Sequence, residues 1–294
     1  MQMLQWTKTQ QIDKRPKRLE ELRNKLNLNV FQTLFEKNIV VARCFETQDP
    51  YTPQTYPFGL LQNLMKTVFI KSHRFPQLRN LHISFNPHIA ATWRHEKEVM
   101  AVRGRPGTFL TSRKRLSQFY DRDTIEQTKG HRFESLDAPL SPYINLKQYS
   151  VKDESSSGFI ERRSFPYFHT LFIVDNQALP EIQLIQKGII NTFGRLLVQA
   201  VERHGNGIIG TEIPEPECAQ CIVTNGKRFS FIWYQLNTLN IESMNDNEVK
   251  NLVCIERPGM LYSKIDSVKG QRKKKVADMN QDILRTLLSV FLLA

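Results

Sequence analysis

Two apolar runs that meet at Asn225-Gly226 constrain the fold more than any other part of the chain. Cys221-Ile222-Val223-Thr224 leads into the pair, and Lys227-Arg228-Phe229-Ser230-Phe231-Ile232-Trp233-Tyr234-Gln235-Leu236-Asn237-Thr238 leads away from it. Asn and Gly both tolerate positive φ, which a two-residue type I′ turn demands, and the flanks are β-branched and aromatic. A two-residue loop sets Thr224 opposite Lys227, Val223 opposite Arg228 and Ile222 opposite Phe229. Alternation puts Phe229, Phe231 and Trp233 on one face and Ile232, Tyr234 and Leu236 on the other. Both faces are apolar, so the return strand is expected at the centre of a sheet covered on two sides. The hairpin holds no nucleophile, base or ligand set.

The surrounding pattern has three parts. Residues 1–75 read as a helical N-terminal arm. Its start looks solvated, with Lys14-Arg15-Pro16-Lys17-Arg18 breaking any early helix. Leu19, Leu22, Leu26, Val30 and Leu34 then recur near helical spacing, and Leu60, Leu61, Leu64, Met65 and Val68 do so after Pro57. Residues 76–164 read as an extended segment rich in Pro and basic residues, ordered mainly by a partner. Residues 165–294 read as an α+β domain with a mixed or antiparallel sheet and long flanking helices. A buried strand is expected at His169–Val174 and another at Leu252–Ile255. An amphipathic helix is expected at about Glu181–Arg203, with Ile182, Ile185, Ile189, Phe193, Leu196, Leu197 and Ala200 as its stripe and Gly205 as its C-cap. A last helix is expected at about Asp278–Leu293. No internal repeat is visible.

The chain carries 41 basic against 29 acidic residues over 294, a net charge of +12. Such an excess favours polyanions, and nucleic acid first. The charge is clustered. Arg103, Arg105, Arg113, Lys114 and Arg115 lie within thirteen residues that hold no acid, and Arg272, Lys273, Lys274 and Lys275 form a second group. Guanidinium forks match phosphate oxygens, and Phe109, Phe119 and Tyr120 are placed to stack on unpaired bases. The bland alternative is a solvated charge run. With no groove-reading helix motif, RNA is favoured over DNA.

Other motifs weigh less. Cys218-Ala219-Gln220-Cys221 suggests zinc or redox chemistry, but an offset of three along a strand sends the two thiols to opposite faces. Two packed thiols are the simpler reading. Gly104-Arg105-Pro106-Gly107 has the form of a GXXG clamp, yet its context reads as a polar turn. His95-Glu96 lacks a second His at metal-binding spacing, and His169 reads as a structural hydrogen-bonding residue. The sequence holds no nucleophile elbow, P-loop or GxGxxG, so catalysis, a cofactor and a small-molecule substrate have no support. Four cysteines (Cys44, Cys218, Cys221 and Cys254) do not make a disulfide scaffold. No apolar run is long enough to span a membrane. The basic N-terminus resembles an organelle transit peptide in charge but lacks its Ser and Arg richness.

Val223-Thr224-Asn225-Gly226-Lys227-Arg228-Phe229-Ser230-Phe231, running into Tyr234-Gln235-Leu236-Asn237-Thr238-Leu239, closely resembles the C-terminal signature of the mitochondrial ribosomal protein S-thirty (programmed cell death protein nine) family. The Gln-Leu-Asn-Thr core is shared with its paralogue, mitochondrial ribosomal protein L-thirty-seven. Val249-Lys250-Asn251 and Leu261-Tyr262 resemble later landmarks, and Trp93 with Val102-Arg103-Gly104-Arg105 a less specific upstream one. The resemblance covers roughly residues 165–294, and residues 80–120 more weakly. Family members usually carry a longer N-terminal region with a transit peptide. The resemblance implies a structural, non-enzymatic component of the mitochondrial large ribosomal subunit in the matrix. Its implied partners are mitochondrial ribosomal RNA, the paralogous subunit and neighbouring ribosomal proteins. The alternative is a free-standing mitochondrial RNA-binding or RNA-processing factor.

Overall fold

The computed structural model describes residues 2–44, 56–95, 98–133, 164–175, 179–242, 247–267 and 274–293. The N-terminal elements are α1 (Gln2–Trp6), β1 (Thr9–Ile12), α2 (Lys17–Lys25), α3 (Gln32–Cys44) and α4 (Tyr56–Ile70). The middle holds β2 (Leu81–Ser84), β3 (Ile89–His95), β4 (Glu98–Gly104), β5 (Thr108–Ser112) and α5 (Arg122–Gln127). Then follow β6 (Tyr167–Val174), α6 (Glu181–His204), β7 (Glu212–Thr224), β8 (Arg228–Thr238), β9 (Asn251–Met260), β10 (Lys264–Ser267), β11 (Lys274–Ala277) and α7 (Gln281–Leu292).

Seven strands form one mixed sheet in the order β1-β9-β8-β7-β6-β5-β2. The β1–β9 and β6–β7 pairs are parallel and the others antiparallel. The fold is therefore α+β with helices on both faces. One face packs Phe229, Phe231, Trp233, Ile222 and Cys218 against Leu19, Phe35, Leu64, Leu284 and Leu287 of α2, α3, α4 and α7. The other packs Ile232, Tyr234, Leu236, Ala219 and Cys221 against Ile189, Phe193 and Leu196 of α6, with β3 behind that helix. Each large apolar side chain fully buried in these layers contributes roughly 1.5–3 kcal/mol relative to exposure.

The hairpin's two faces fall as the alternation predicts, but its register does not. Thr224 pairs with Phe229, Val223 with Ser230 and Ile222 with Phe231. The connection thus spans residues 225–228, and of the Asn225-Gly226 pair only Gly226 has positive φ, +85°. Asn225 acts through its side chain instead. Its Oδ1 accepts from the Lys227 and Arg228 amides at 3.1 and 2.8 Å, an Asx-type capture that holds the loop open. The register shift is two residues, an even number, so every side chain keeps its face.

The helices α4, α6 and α7 match their periodicity to within a few residues. Gly205 closes α6 at φ +79°, its amide 2.8 Å from the Val201 carbonyl. Ile182, expected in the buried stripe, is exposed in the first turn of α6. The Asn280 side chain caps α7 by accepting from the Asp282 and Ile283 amides.

Two stretches are more integrated than their composition suggests. The N-terminus is not a solvated tail up to residue 20: β1 forms an edge of the main sheet and Lys8 is fully buried. Between residues 76 and 133 the chain is largely extended, but hydrogen bonds within the protein order it. β2 and β5 complete the main sheet, while β3 and β4 form a hairpin over α6. Residues 134–163 lie outside the described residues. Among the described residues no helix is long and apolar enough to cross a membrane.

Candidate nucleic-acid interface

The basic residues that are contiguous in sequence are separated in space. Arg103 and Arg105 stand at the end of β4 and in the turn to β5, both exposed. Arg113 and Lys114, also exposed, follow the far end of β5. The five residues of β5 put roughly 16 Å between these two pairs. Lys275 is exposed on β11, in a separate two-stranded sheet. Lys274 lies on the same strand with its side chain outside the described set, and Arg272 and Lys273 lie outside the described residues.

Arg115 turns inward. It pairs with Glu215 and stands 3.8 Å from Glu217, a buried carboxylate that also pairs with Arg203 and accepts from Gln199 Nε2 at 2.7 Å. Arg115 therefore joins the segment after β5 to β7. The Arg115 side-chain hydrogen bond holds the Glu215 carboxyl below its usual range.

The aromatic residues expected to stack on bases are not available to do so. Phe109, Phe119 and Tyr120 are all buried, the first fully. An aromatic neighbour of the basic segment is Phe165, from outside it in sequence. Arg113 lies 5.0 Å over its ring, and His82 stacks on it at 5.5 Å with the planes 25° apart. No local pattern announces this contact, because β2, the end of β5 and the approach to β6 supply one residue each. The glycine pair of Gly104-Arg105-Pro106-Gly107 joins two strands rather than two helices, in keeping with a turn.

The Gln235–Thr238 and Val249–Asn251 segments form a buried polar clasp. Gln235 Oε1 accepts from the Phe119 and Tyr120 amides at 2.7 and 2.9 Å, and its Nε2 donates to Asn237 Oδ1 at 2.9 Å. Asn237 Nδ2 donates to the Lys250 carbonyl. Asn251 Oδ1 accepts from the Asn237 and Thr238 amides at 2.8 and 2.9 Å, while its Nδ2 reaches the Thr7 carbonyl at 2.9 Å. Lys8 Nζ donates to the Asn240 carbonyl and pairs with Glu248. Buried amides engaged through both oxygen and nitrogen favour one register. These residues thus tie β8, β9, β1 and the 119–128 segment together, and their role is architectural.

Cys218 and Cys221 lie in the two different core layers, on opposite faces of β7. Burial pushes both thiols up to about 12 and Cys254 up to about 11, so all three are neutral near pH 7. A cavity of about 520 Å³ beside α2 is lined by Arg15, Glu20 and Glu256, which are paired with one another.

His169 is buried, its Nε2–H donating to the Leu293 carbonyl at 2.6 Å and its Nδ1 accepting from Thr170 Oγ1. Burial lowers its pKa to about 4. The unfolded chain protonates near 6.5, so stability is complete above that pH and falls as the pH drops toward 4. Between pH 7.5 and 5 this one residue should cost about 2 kcal/mol. Denaturant titrations at the two pH values check it: His169→Gln should lose that increment of acid sensitivity, and an identical slope in both proteins would contradict the assignment.

Residues 175–294 match a family model described as Mitochondrial 28S ribosomal protein S30 (PDCD9). The chain is also 31% identical over 225 residues to a protein named Large ribosomal subunit protein mL37 from Rattus norvegicus, covering 74% of this chain and 51% of that protein. The mL37 protein of Gallus gallus is 30% identical over 244 residues, covering 80% and 55%, and that of Bos taurus is 29% identical over 241 residues, covering 79% and 55%. The chain thus spans about half the length of the curated relatives it matches.

Proposed function

We propose that the chain, whose residues 175–294 match the mitochondrial ribosomal protein S30 (PDCD9) family model and which is similar to mL37, is a member of that family and a structural constituent of the mitochondrial large ribosomal subunit. It works in mitochondrial translation, on the ribosome in the matrix, by contact with ribosomal RNA and neighbouring ribosomal proteins. The observation that carries this reading is the relationship to proteins named as large-subunit components over 74–80% of the chain. The family signature supports a structural rather than catalytic role, because its polar residues are consumed by the clasp.

RNA phosphates are engaged by the outward-facing cations Arg103, Arg105, Arg113, Lys114 and Lys275, together with Arg272, Lys273 and Lys274 of the second cluster. Arg115 serves the fold. Each phosphate contact adds roughly 0.7–0.9 to the slope of log affinity against log salt. Replacing Arg103, Arg105, Arg113 and Lys114 together by Gln should therefore flatten that slope by about 3 for mitochondrial large-subunit ribosomal RNA, with thermal stability little changed. An unchanged slope and affinity would remove these residues from the interface.

A further inference from the structure

We propose that His82, Phe165 and Arg113 form a platform on which one unpaired RNA base stacks. The proposal rests on the RNA-binding reading above and adds a mode of contact that phosphate attraction does not supply.

The three side chains come from three places and meet at the Phe165 ring. His82 lies on β2, the edge strand of the main sheet. Arg113 follows β5, its amide donating to the Asn80 carbonyl at 3.1 Å, which fixes its backbone beside β2. Phe165 precedes β6 and shares its ring with both partners, 5.5 Å from the His82 ring and 5.0 Å from the Arg113 guanidinium. Phe165 is half-buried, whereas His82 and Arg113 are exposed. The cluster thus presents planar π and guanidinium groups at the surface rather than in the core.

Bases of any sequence stack on aromatic rings and guanidinium planes, and single-stranded RNA is recognised in this way. A base laid on the exposed His82 ring or Arg113 guanidinium extends an existing stack, whose members are held in place by β2 and β5. Its phosphate then falls within reach of the exposed Lys114, one residue from Arg113. Here an exposed member of the basic segment, Arg113, stands against an aromatic stack.

The test compares two probes on the full chain: a single-stranded oligouridine of about ten nucleotides and an abasic ribose-phosphate strand of the same length. Phe165→Ala and His82→Ala should each weaken the oligouridine by about fivefold or more and leave the abasic strand within about twofold. Arg113→Gln should weaken both, and Phe165→Trp should bind oligouridine at least as well as the unaltered chain. Thermal melting of each variant separates loss of binding from loss of fold. Equal effects on the two probes, or none, overturn the platform and leave the phosphate contacts standing. Failure of the unaltered chain to bind either probe overturns the RNA reading itself.

Discussion

Replacing Asn251 by Ala should lower the free energy of unfolding by about 3–5 kcal/mol, more than any surface change in this protein. The amide satisfies three main-chain groups at once: the Asn237 and Thr238 N–H groups and the Thr7 carbonyl. Asn251 itself has no exposed surface. Truncation leaves the Asn237 and Thr238 amides without this acceptor, each such buried group costing about 1–3 kcal/mol, while the Thr7 carbonyl keeps only the Thr9 hydroxyl at 3.0 Å. Asn251→Asp should be nearly as damaging, because it keeps the acceptor but sets a carboxylate oxygen against the Thr7 carbonyl. The local signature is loss of hydrogen-exchange protection across Thr9–Ile12, since β1 pairs with β9 next to this side chain. A loss under about 1 kcal/mol in a denaturant titration, with β1 still protected, would show that the clasp does not hold the edge strand.

The second large effect is expected at Gly107. A Cβ there would overlap the Phe172 carbonyl oxygen of β6 and stand 3.0 Å from its carbon. The obstacle is backbone in the interior of the sheet, so no rotamer change relieves it. Either β5 separates from β6 or the turn after β4 is displaced, and Gly107→Ala should cost about 3 kcal/mol. Gly130→Ala is the matched control, because that position has no heavy atom within 4 Å and no positive φ. A Gly107→Ala variant as stable as the control would mean that the strands do not approach as closely as described. The second glycine of the GXXG-like motif is thus required by strand packing, and its spacing from Gly104 needs no nucleic acid to explain it.

How far the sequence could be read depends on the range of the forces involved. The hairpin, its two faces and the helices α4, α6 and α7 follow from alternation, helical spacing and caps, which are local. The register at the Asn225 turn differs by two residues from the expected one because the side chain competes with positive φ for the same loop, and composition does not say which prevails. The burial of Lys8 and the strand Thr9–Ile12 rest on β9, more than 240 residues away, and Gln10 and Gln11 give β1 no apolar alternation. The basic segment misled in a related way. Its density is visible in the sequence, but β5 runs through it and divides it, and Glu215 and Glu217 claim Arg115 from about one hundred residues downstream. Phe109, Phe119 and Tyr120 sit beside the basic residues in sequence and are drawn inward by the sheet, whereas Phe165 reaches Arg113 only through the fold.

The ribosomal role is tested most directly by sedimentation. Tagged full-length protein in lysed mitochondria, resolved on a sucrose gradient, should travel with the large subunit. It should be present at about one copy per particle relative to another large-subunit protein, and should stay there when moderate salt removes loosely bound factors. Protein confined to free matrix fractions at low salt, or found on the particle at a small fraction of a copy, would contradict the account and favour a transient RNA-binding factor.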